Sequence, residues 1–491
     1  MNFRCYSIKS WPKLTWVARI PPGSSEVFIL HGPMVETSNE WAVEAVWAGD
    51  FAAGDFDHTD LVFGTGVRLR QDTVVFVNSG TSLDRLWYCK RNGMLFVSNS
   101  LPAMLAVAGL SLRNDVDYTA LMRTAKEGLS GYARDVPVTD GYVHPQYFHN
   151  LTFSHGVLHE IEKPKSIDGF TEFDSYWRYM QQVARDLGEN MRAPQRTHRI
   201  APLTTASTGY DSCVAAVLAK EAGCEKAVTI AESNSLWRGS DSGMKIATML
   251  DLLCQEYSLR PNACPDEHAV WAVSGLPMEI NWTQFEYPQP LTLFFTGCHG
   301  DKVWARAGHD VSRPFRKVSL AGIGLCEWRL LHGVFHCPVP FWGVRCIRDI
   351  RRISNSSEIT PWSLGGEYDR PIARCILERS DVPRKAFGMR KKNTSLENPF
   401  RWPISKKARQ QFKNYLRKRK VYAPSSIIID IIRIIAMADS IIYKSTLKKM
   451  GKPKGKRPWD RMKAPDLIFE CANAELKTLY QRGFSSSSRF L

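Results

Sequence analysis

Short apolar runs separated by polar turns dominate the first 165 residues. The segments 27–30, 61–63, 73–77 and 95–97 each have the length of a strand, and Gly, Asn and Asp lie between them. This pattern predicts a β-rich domain over residues 1–165.

The pattern becomes helical after residue 165. Phe173, Tyr176 and Trp177 punctuate a polar background between residues 166 and 195, which predicts a helical connector. The largely apolar run 200–206 then predicts a buried strand.

A helix is predicted directly after this strand, over 213–220. Val214, Val217 and Leu218 fall on one helical face, and Gly223 provides a C-terminal stop. A short loop rich in hydroxyl groups joins the strand to the helix: Ser207, Thr208, Gly209, Tyr210, Asp211 and Ser212. Such a loop gathers unpaired backbone N–H groups and the positive end of the helix dipole, so it predicts an anion site.

Length and composition indicate a folded protein of several domains. The 491 residues and the hydrophobic content of 44% allow two or three domains. The twelve cysteines are scattered without a CxxC pair, which predicts reduced, mostly buried thiols in a cytoplasmic protein. We expect no secretory signal, and no transmembrane helix because no uninterrupted apolar run reaches about 18 residues.

The net charge of +16 comes from the last fifth of the chain. Residues 401–491 hold 22 Lys and Arg against 6 Asp and Glu, whereas the charges balance over residues 1–400. A basic segment at 406–420, an isoleucine-dense run at 427–435 and a second basic run at 448–457 follow one another. We predict a basic, mainly helical C-terminal extension that binds RNA, an anionic membrane surface or an acidic partner. The alternative is a terminal helical layer whose isoleucines pack on the preceding domain and whose cations are solvated.

Several segments resemble the ATP pyrophosphatases, the group that includes the asparagine synthetases. The loop beginning at Ser207 resembles the family's S-G-G-x-D-S loop, with Thr208 in place of one glycine. Asp241 resembles the aspartate of an S-D-x-x-x-A helix. The stretch 297–302 resembles S-G-x-G-x-D-E, with His299 in place of a glycine and Lys302 in place of the glutamate.

Further pieces follow in the family's order. The V-P-F motif at 339–341 and the stretch 369–391, with Lys391 at the family's lysine, resemble the later synthetase motifs. Segments 47–53 and 83–105 resemble the strands of the family's N-terminal glutaminase-like domain. The resemblance covers roughly residues 40 to 395 and identifies the chain as an asparagine-synthetase-like protein of two domains.

The resemblance implies an α/β and α+β fold. It places an Ntn-hydrolase-like β-rich sandwich over 1–165 and a parallel-sheet, PP-loop domain of the adenine-nucleotide α-hydrolase kind over 166–400, before the extension 401–491. The family's glutaminase nucleophile is a cysteine that becomes the first residue. Here Asn2 is second and Cys5 lies too far along the chain, so we expect a glutaminase-like domain without the nucleophile.

The chemistry implied by the resemblance is cleavage of ATP between its α- and β-phosphates. A small-molecule or peptide carboxylate attacks the α-phosphate, pyrophosphate leaves, and an amine displaces AMP to form an amide. Asp211 and Asp301 would hold Mg²⁺, the alternative being structural caps. Lys391 would neutralise charge in the transition state, the alternative being a solvated member of a basic run. The implied nucleotide-binding residues are Ser207, Thr208, Gly209, Tyr210, Asp211, Ser212, Asp241, Gly297 and Gly300.

The substrate side departs from the family. His336 stands near the family's acidic residue, and we interpret it either as the base that deprotonates the amine or as a packed polar residue. Glu327 is a rival for the missing acid, with Arg329 as a carboxylate clamp. These departures predict a substrate other than aspartate.

The leading hypothesis is an ATP-dependent, amide-forming ligase that does not hydrolyse glutamine. One alternative is an RNA-modifying PP-loop ATPase, which the basic extension favours. The other is a non-catalytic descendant that binds a nucleotide or a partner, which Thr208, Lys302 and His336 favour.

Overall fold

Two mostly antiparallel sheets and one parallel sheet make this a mixed α/β protein. The computed structural model describes residues 1–232, 240–258, 264, 266–277, 279–306, 325–366, 368–388, 400–443 and 457–485.

The first two sheets are built from residues 2–161, where the predicted strands are confirmed. The strands are β1 (Asn2–Ser7), β2 (Trp16–Ile20), β3 (Glu26–His31), β4 (Glu36–Thr37), β5 (Trp41–Trp47), β6 (Val62–Arg70), β7 (Thr73–Val77), β8 (Arg85–Arg91), β9 (Met94–Ser98), β10 (Val136–Pro137), β11 (Tyr142–Tyr147), β12 (Asn150–Ser154) and β13 (Val157–Ile161). Two short helices, α1 (Leu101–Val107) and α2 (Tyr118–Arg123), lie between β9 and β10.

These two sheets share a core. One has the order β1-β3-β2-β9-β8-β11-β10 and the other the order β13-β12-β7-β6-β5-β4. Trp16 and Val97 from the first sheet form one buried cluster with Val67 and Phe76 from the second. Burial of alternate side chains from both sheets is the packing of a β-sandwich.

The third sheet and its helices follow along the chain. Their bounds are α3 (Phe173–Arg192), β14 (Ile200–Thr205), α4 (Tyr210–Glu221), β15 (Lys226–Ile230), α5 (Met244–Met249), β16 (Leu253–Tyr257), α6 (Glu267–Ser274), β17 (Leu291–Thr296), α7 (Gly300–Val303), α8 (Cys326–His332), β18 (Val334–Pro338), α9 (Ile347–Ser354) and α10 (Pro371–Arg379). The predicted helical connector and the predicted strand at 200–206 are confirmed, although α3 begins seven residues after the predicted start of the connector. Helix α4 begins at Tyr210, three residues before its predicted start, so the last three residues of the hydroxyl-rich loop form its first turn.

The strand order of this sheet is β16-β15-β14-β17-β18, and all its pairs are parallel. The chain builds outward from β14 to one edge, then returns to place β17 on the other side of β14. The carboxyl ends of β14 and β17 are therefore neighbours at a topological switch point. Open parallel sheets bind ligands in the crevice at such a point.

Helix α4 is buried more completely than its sequence pattern predicts. Val214, Val217 and Leu218 are buried as expected, but Ala215 and Ala219 on other faces are buried as well. Small side chains let α3 and α10 pack closely on α4, which also covers β14 and β17. The body of α4 is consequently held between these elements, whereas Asp211 and Ser212 at its start are half-buried.

The C-terminal part comprises α11 (Lys406–Lys418), α12 (Ser426–Ile442) and α13 (Ile468–Ser485). Helix α13 packs against both α1 and α6. The buried hydroxyl of Tyr480 lies 2.8 Å from Thr15 Oγ1, and Asn473 Nδ2 donates to the carbonyl of Ala272 at 3.0 Å. This helix therefore connects the sandwich to the parallel-sheet part.

The isoleucine run does not form the packed face that one interpretation of the sequence required. Ile429 is buried, whereas Ile427, Ile431 and Ile434 are exposed. The second basic run, at 448–457, lies outside the described residues except for Arg457.

The prediction that the cysteines are mostly buried is confirmed. All twelve cysteines are described, none forms a disulfide, and nine of them are buried. Among the helices that the structure describes, none is both long and apolar enough to cross a bilayer.

Candidate functional site

The hydroxyl-rich loop closes on itself between β14 and α4. Gly209 is the N-cap residue of α4, with φ −84° and ψ 161°. Ser207 Oγ lies 2.5 Å from Ser212 Oγ and accepts a hydrogen bond from the Gly209 N–H at 3.0 Å. The serines therefore position the loop so that the first turn of α4 begins at the switch point.

Thr208 fits this loop although the related motif has glycine there. Its backbone does not adopt the left-handed region that would favour glycine. Its Oγ1 donates to Asp241 Oδ1 at 2.5 Å, and its N–H donates to the same oxygen at 3.3 Å. Gly388 N–H donates to the Thr208 carbonyl at 2.8 Å. Asp241 is buried, so its contribution is to orient the loop.

The loop after β17 packs directly against Asp211. A Cβ added at Gly297 would lie 2.5 Å from both the Asp211 carbonyl oxygen and the Ser212 nitrogen. A Cβ added at Gly300 would lie 2.7 Å from Asp211 Cβ. Only glycine permits this approach, which brings the predicted Gly297–Asp301 motif to the predicted phosphate loop.

Arg370 pairs with Asp211, one of the two predicted metal-binding carboxylates. It precedes α10, its side chain is only 5% exposed, and its guanidinium forms an ion pair with Asp211. Burial would lower the pKa of Arg370, but the charge of Asp211, with smaller contributions from Tyr368 and Asp301, outweighs burial and raises it. Asp301 also lies 3.4 Å from Lys302 Nζ.

An aromatic wall holds the cations beside the loop. The Arg370 guanidinium lies 5.1 Å from the centre of the Tyr368 ring. Arg374 donates to the Tyr210 hydroxyl and lies 5.2 Å from that ring. We did not predict roles for these arginines. The sequence signal that could have identified Arg370 is the pair Arg370-Pro371. Proline is favoured at the first position of a helix, so this pair predicts a cation at a helix start.

The histidines near this edge are packed. His299 has φ 69°, a left-handed conformation at which glycine is favoured, and its ring contacts Phe341. His336 is buried on β18, with Nε2 2.8 Å from Thr296 Oγ1 and its ring 5.5 Å from that of Trp282. Thr296 directly precedes Gly297, so His336 supports the second loop through this contact.

Glu327 lies in a different network. On α8 it accepts hydrogen bonds from Ser100 Oγ at 2.8 Å and from Leu101 N–H at 3.1 Å, at the start of α1. Burial raises the pKa of Glu327 to about 7, although the bond from Ser100 opposes the shift. The hydrogen bonds and ion pairs described for Glu327 do not include the 207–212 loop.

Arg329 binds carboxylates within the protein. It bridges Glu44 Oε2 at 2.7 Å and Asp84 Oδ1 at 2.8 Å, and all three groups are buried. This triad joins α8 to the β-sandwich. Lys391, the remaining predicted catalytic residue, lies outside the described residues.

The two loops assemble a set of groups suited to a phosphate and a hard cation. Backbone N–H groups and serine hydroxyls favour phosphate oxygens at the N-terminus of α4. The carboxylates of Asp211 and Asp301 are the oxygen ligands that Mg²⁺ prefers. Comparison of the sequence with models of protein families gives no match, and a search of curated proteins gives none either.

Proposed function

We propose that the protein is an ATP-dependent ligase of the asparagine-synthetase type that forms an amide through an acyl-adenylate. The observation that carries the proposal is the close packing of the Gly297 loop on Asp211 at the switch point of a parallel sheet. We further propose that the β-sandwich is Ntn-hydrolase-like over 1–165 and that the parallel sheet is a PP-loop domain over 166–400. Residues 401–491 form the extension.

The pyrophosphate end of ATP is proposed to bind at the loop. Among the described residues, a Cβ on Gly209 would have Ser207 Oγ at 3.4 Å and Tyr368 Oη at 3.7 Å as its nearest neighbours. Glycine therefore leaves the N-terminus of α4 accessible to an incoming phosphate. Ser207 and Ser212 supply hydroxyl groups to the same place.

The carboxylates fit Mg²⁺ in type. Asp211, which pairs with Arg370, and Asp301 would supply its oxygen ligands. Bound Mg²⁺ would neutralise charge on the leaving pyrophosphate. Arg370 lies over the Tyr368 ring and pairs with Asp211. It could also neutralise charge on the pyrophosphate when phosphate oxygens displace the Asp211 carboxylate from this pair. Lys391 is proposed to contribute a further cation.

The reaction balances as two displacements. A substrate carboxylate oxygen forms a bond to the α-phosphorus, and the bond to the β-phosphate breaks to release pyrophosphate. An amine nitrogen then attacks the acyl carbon, AMP leaves, and the amine loses a proton. We propose a positioning role for His336 in preference to that of the base, because its Nε2 lies 2.8 Å from Thr296 Oγ1.

The amine is proposed to come directly from ammonia or a substrate, without glutamine hydrolysis. Burial raises the pKa of the Cys5 thiol to about 11, so at neutral pH the thiolate needed for nucleophilic attack is scarce. Cys5 also lies on β1, paired with Ile29 of β3.

The test is product analysis after incubation with ATP, Mg²⁺, ammonia and a panel of carboxylates and amines. We expect AMP and pyrophosphate in a carboxylate-dependent reaction, which Gly209→Ala abolishes. The matched control is Gly156→Ala, because a Cβ there has nothing within 4 Å. ADP and phosphate as products would contradict the proposal. Activity that requires RNA would favour the RNA-modifying alternative, and nucleotide binding without cleavage the non-catalytic one.

A further inference from the structure

One face of α12 exposes isoleucine side chains to solvent. Ile427, Ile428, Ile431, Ile434 and Ile435 occupy this surface, which we call the isoleucine face. Their spacing of i, i+1, i+4, i+7 and i+8 places them on one stripe of an α-helix. Ile427 and Ile434 are 73% and 68% exposed. Contiguous exposed aliphatic patches mark interaction sites in soluble domains.

The opposite face of α12 is anchored to the protein. Ile429 and Ala436 are buried in the cluster that includes Trp402 and Phe412. Arg433 Nη2 donates to the carbonyl of Pro403 at 3.1 Å. The helix is therefore held with its isoleucine face outward.

Cations are concentrated on α11, which lies beside α12. Lys413 Nζ donates to Ser426 Oγ at 2.8 Å, and Arg409 pairs with Asp430 at 3.0 Å. The exposed cations of this segment are Lys406, Lys407, Arg417, Lys418 and Lys420. The sequence adds six lysines and no acidic residue between 444 and 456.

The acidic residues of this region are already neutralised. Between residues 400 and 443, all of which are described, the acids are Asp430 and Asp439. Asp430 pairs with Arg409, and Asp439 pairs with Arg457 at 2.6 Å. Residues 400–443 therefore carry exposed cations whose charge no acid of the same segment offsets.

We propose that α12 binds the surface of an anionic lipid bilayer. The isoleucine face would enter the boundary between headgroups and acyl chains, and the exposed cations between residues 406 and 420 would contact the headgroups. An amphipathic helix with an aliphatic face and basic flanks has this chemistry. A second copy of the chain would bring the same cations into contact, so charge disfavours self-association. RNA recognition uses stacking aromatic rings, which five isoleucines do not offer.

The helix is suited to lying on the bilayer and not to crossing it. Its 17 residues span about 26 Å, less than the roughly 30 Å of a bilayer's hydrocarbon core. Asp430 and Asp439 keep their ion pairs with Arg409 and Arg457, which lie outside the helix. The proposal does not depend on the proposed ligase activity.

The test is flotation of the full-length protein with phosphatidylcholine vesicles, with and without phosphatidylglycerol. We expect binding to the anionic vesicles that weakens as salt is raised. The double variant Ile427→Gln/Ile434→Gln should bind about a hundredfold more weakly, because two aliphatic side chains no longer enter the bilayer. Arg417→Glu/Lys418→Glu should weaken binding through charge.

The matched control is Leu253→Gln. Leu253 is 72% exposed on the edge strand β16. This substitution therefore removes an exposed aliphatic side chain that is not part of the isoleucine face. It should bind vesicles like the wild type, and all variants should keep the wild-type unfolding midpoint. Absent vesicle binding, or binding unaffected by the isoleucine variant, would overturn the proposal. The proposal would also be overturned if the wild type formed a dimer, or a complex with RNA, and the isoleucine variant alone failed to form it.

Discussion

Gly297→Ala probes the contact on which the candidate site depends. The new methyl carbon would lie 2.5 Å from the Asp211 carbonyl oxygen and the Ser212 nitrogen, whereas ordinary contacts begin at 3.4 Å. Since both neighbours are backbone atoms, no side-chain rotation relieves the clash. The two loops must separate by about 0.9 Å, the difference between these distances.

The expected effect on nucleotide binding is larger than the effect on folding. Overpacking in a well-packed region costs roughly 1–3 kcal/mol of unfolding free energy. A displacement of about 1 Å in groups that contact the substrate costs on the order of a hundredfold in rate, and we expect a loss of affinity of the same order where those groups bind phosphate. We therefore expect a folded variant, slightly destabilised, whose affinity for MgATP falls about a hundredfold.

Thermal unfolding and calorimetric titration with MgATP measure the two effects separately. Gly156→Ala is the control: its φ of +79° makes the substitution cost about 1 kcal/mol, but it lies in open space away from the loops. Wild-type affinity in Gly297→Ala would refute the reasoning, because the loops would then not be in the contact described. An equal loss of affinity in Gly156→Ala would refute it as well.

Three further predictions concern the buried networks. Because the pKa of Glu327 rises from 4.5 to about 7 on folding, its stabilising effect is complete below pH 4.5 and is lost as pH rises through 7. Glu327→Gln should remove this loss, roughly 3 kcal/mol, from denaturant unfolding measured between pH 4.5 and 8; an unchanged pH profile would contradict it. Arg329→Met leaves Glu44 and Asp84 buried without their cation and should cost about 3–5 kcal/mol of unfolding free energy at pH 7. Burial raises the pKa of Glu44, so this carboxyl protonates more readily as the pH falls and the loss should be smaller at pH 4; equal losses at both pH values would contradict it. Tyr480→Phe removes a buried 2.8 Å hydrogen bond and should lower the unfolding free energy by about 1–2 kcal/mol, with no change in MgATP affinity; a parallel loss of affinity would contradict it.

Local pattern was sufficient to predict the strands and helices near the site. The strand before Ser207 and the helix after it were both predicted and are confirmed. Each depends on an apolar run and its boundary residues, which neighbouring positions in the chain determine.

The contacts that assemble the site required the tertiary structure. Arg370 lies 159 residues from Asp211, and no local pattern relates a cation at a helix start to a carboxylate so far along the chain. The fit of Thr208 depends on Asp241, which lies in the loop after β15 and accepts a hydrogen bond from the Thr208 hydroxyl. The sequence likewise did not decide whether the isoleucines of 427–435 pack on the protein or face a partner. Helical periodicity identifies an apolar face but not what that face contacts.

A crystal structure with Mg²⁺ and a non-hydrolysable ATP analogue tests the central claim most directly. The account predicts the terminal phosphates within hydrogen-bonding distance of Ser207, Gly209 and Ser212, with the cation bound between them and the carboxylates of Asp211 and Asp301. A triphosphate bound away from the carboxyl ends of β14 and β17, with this loop unchanged, would contradict it.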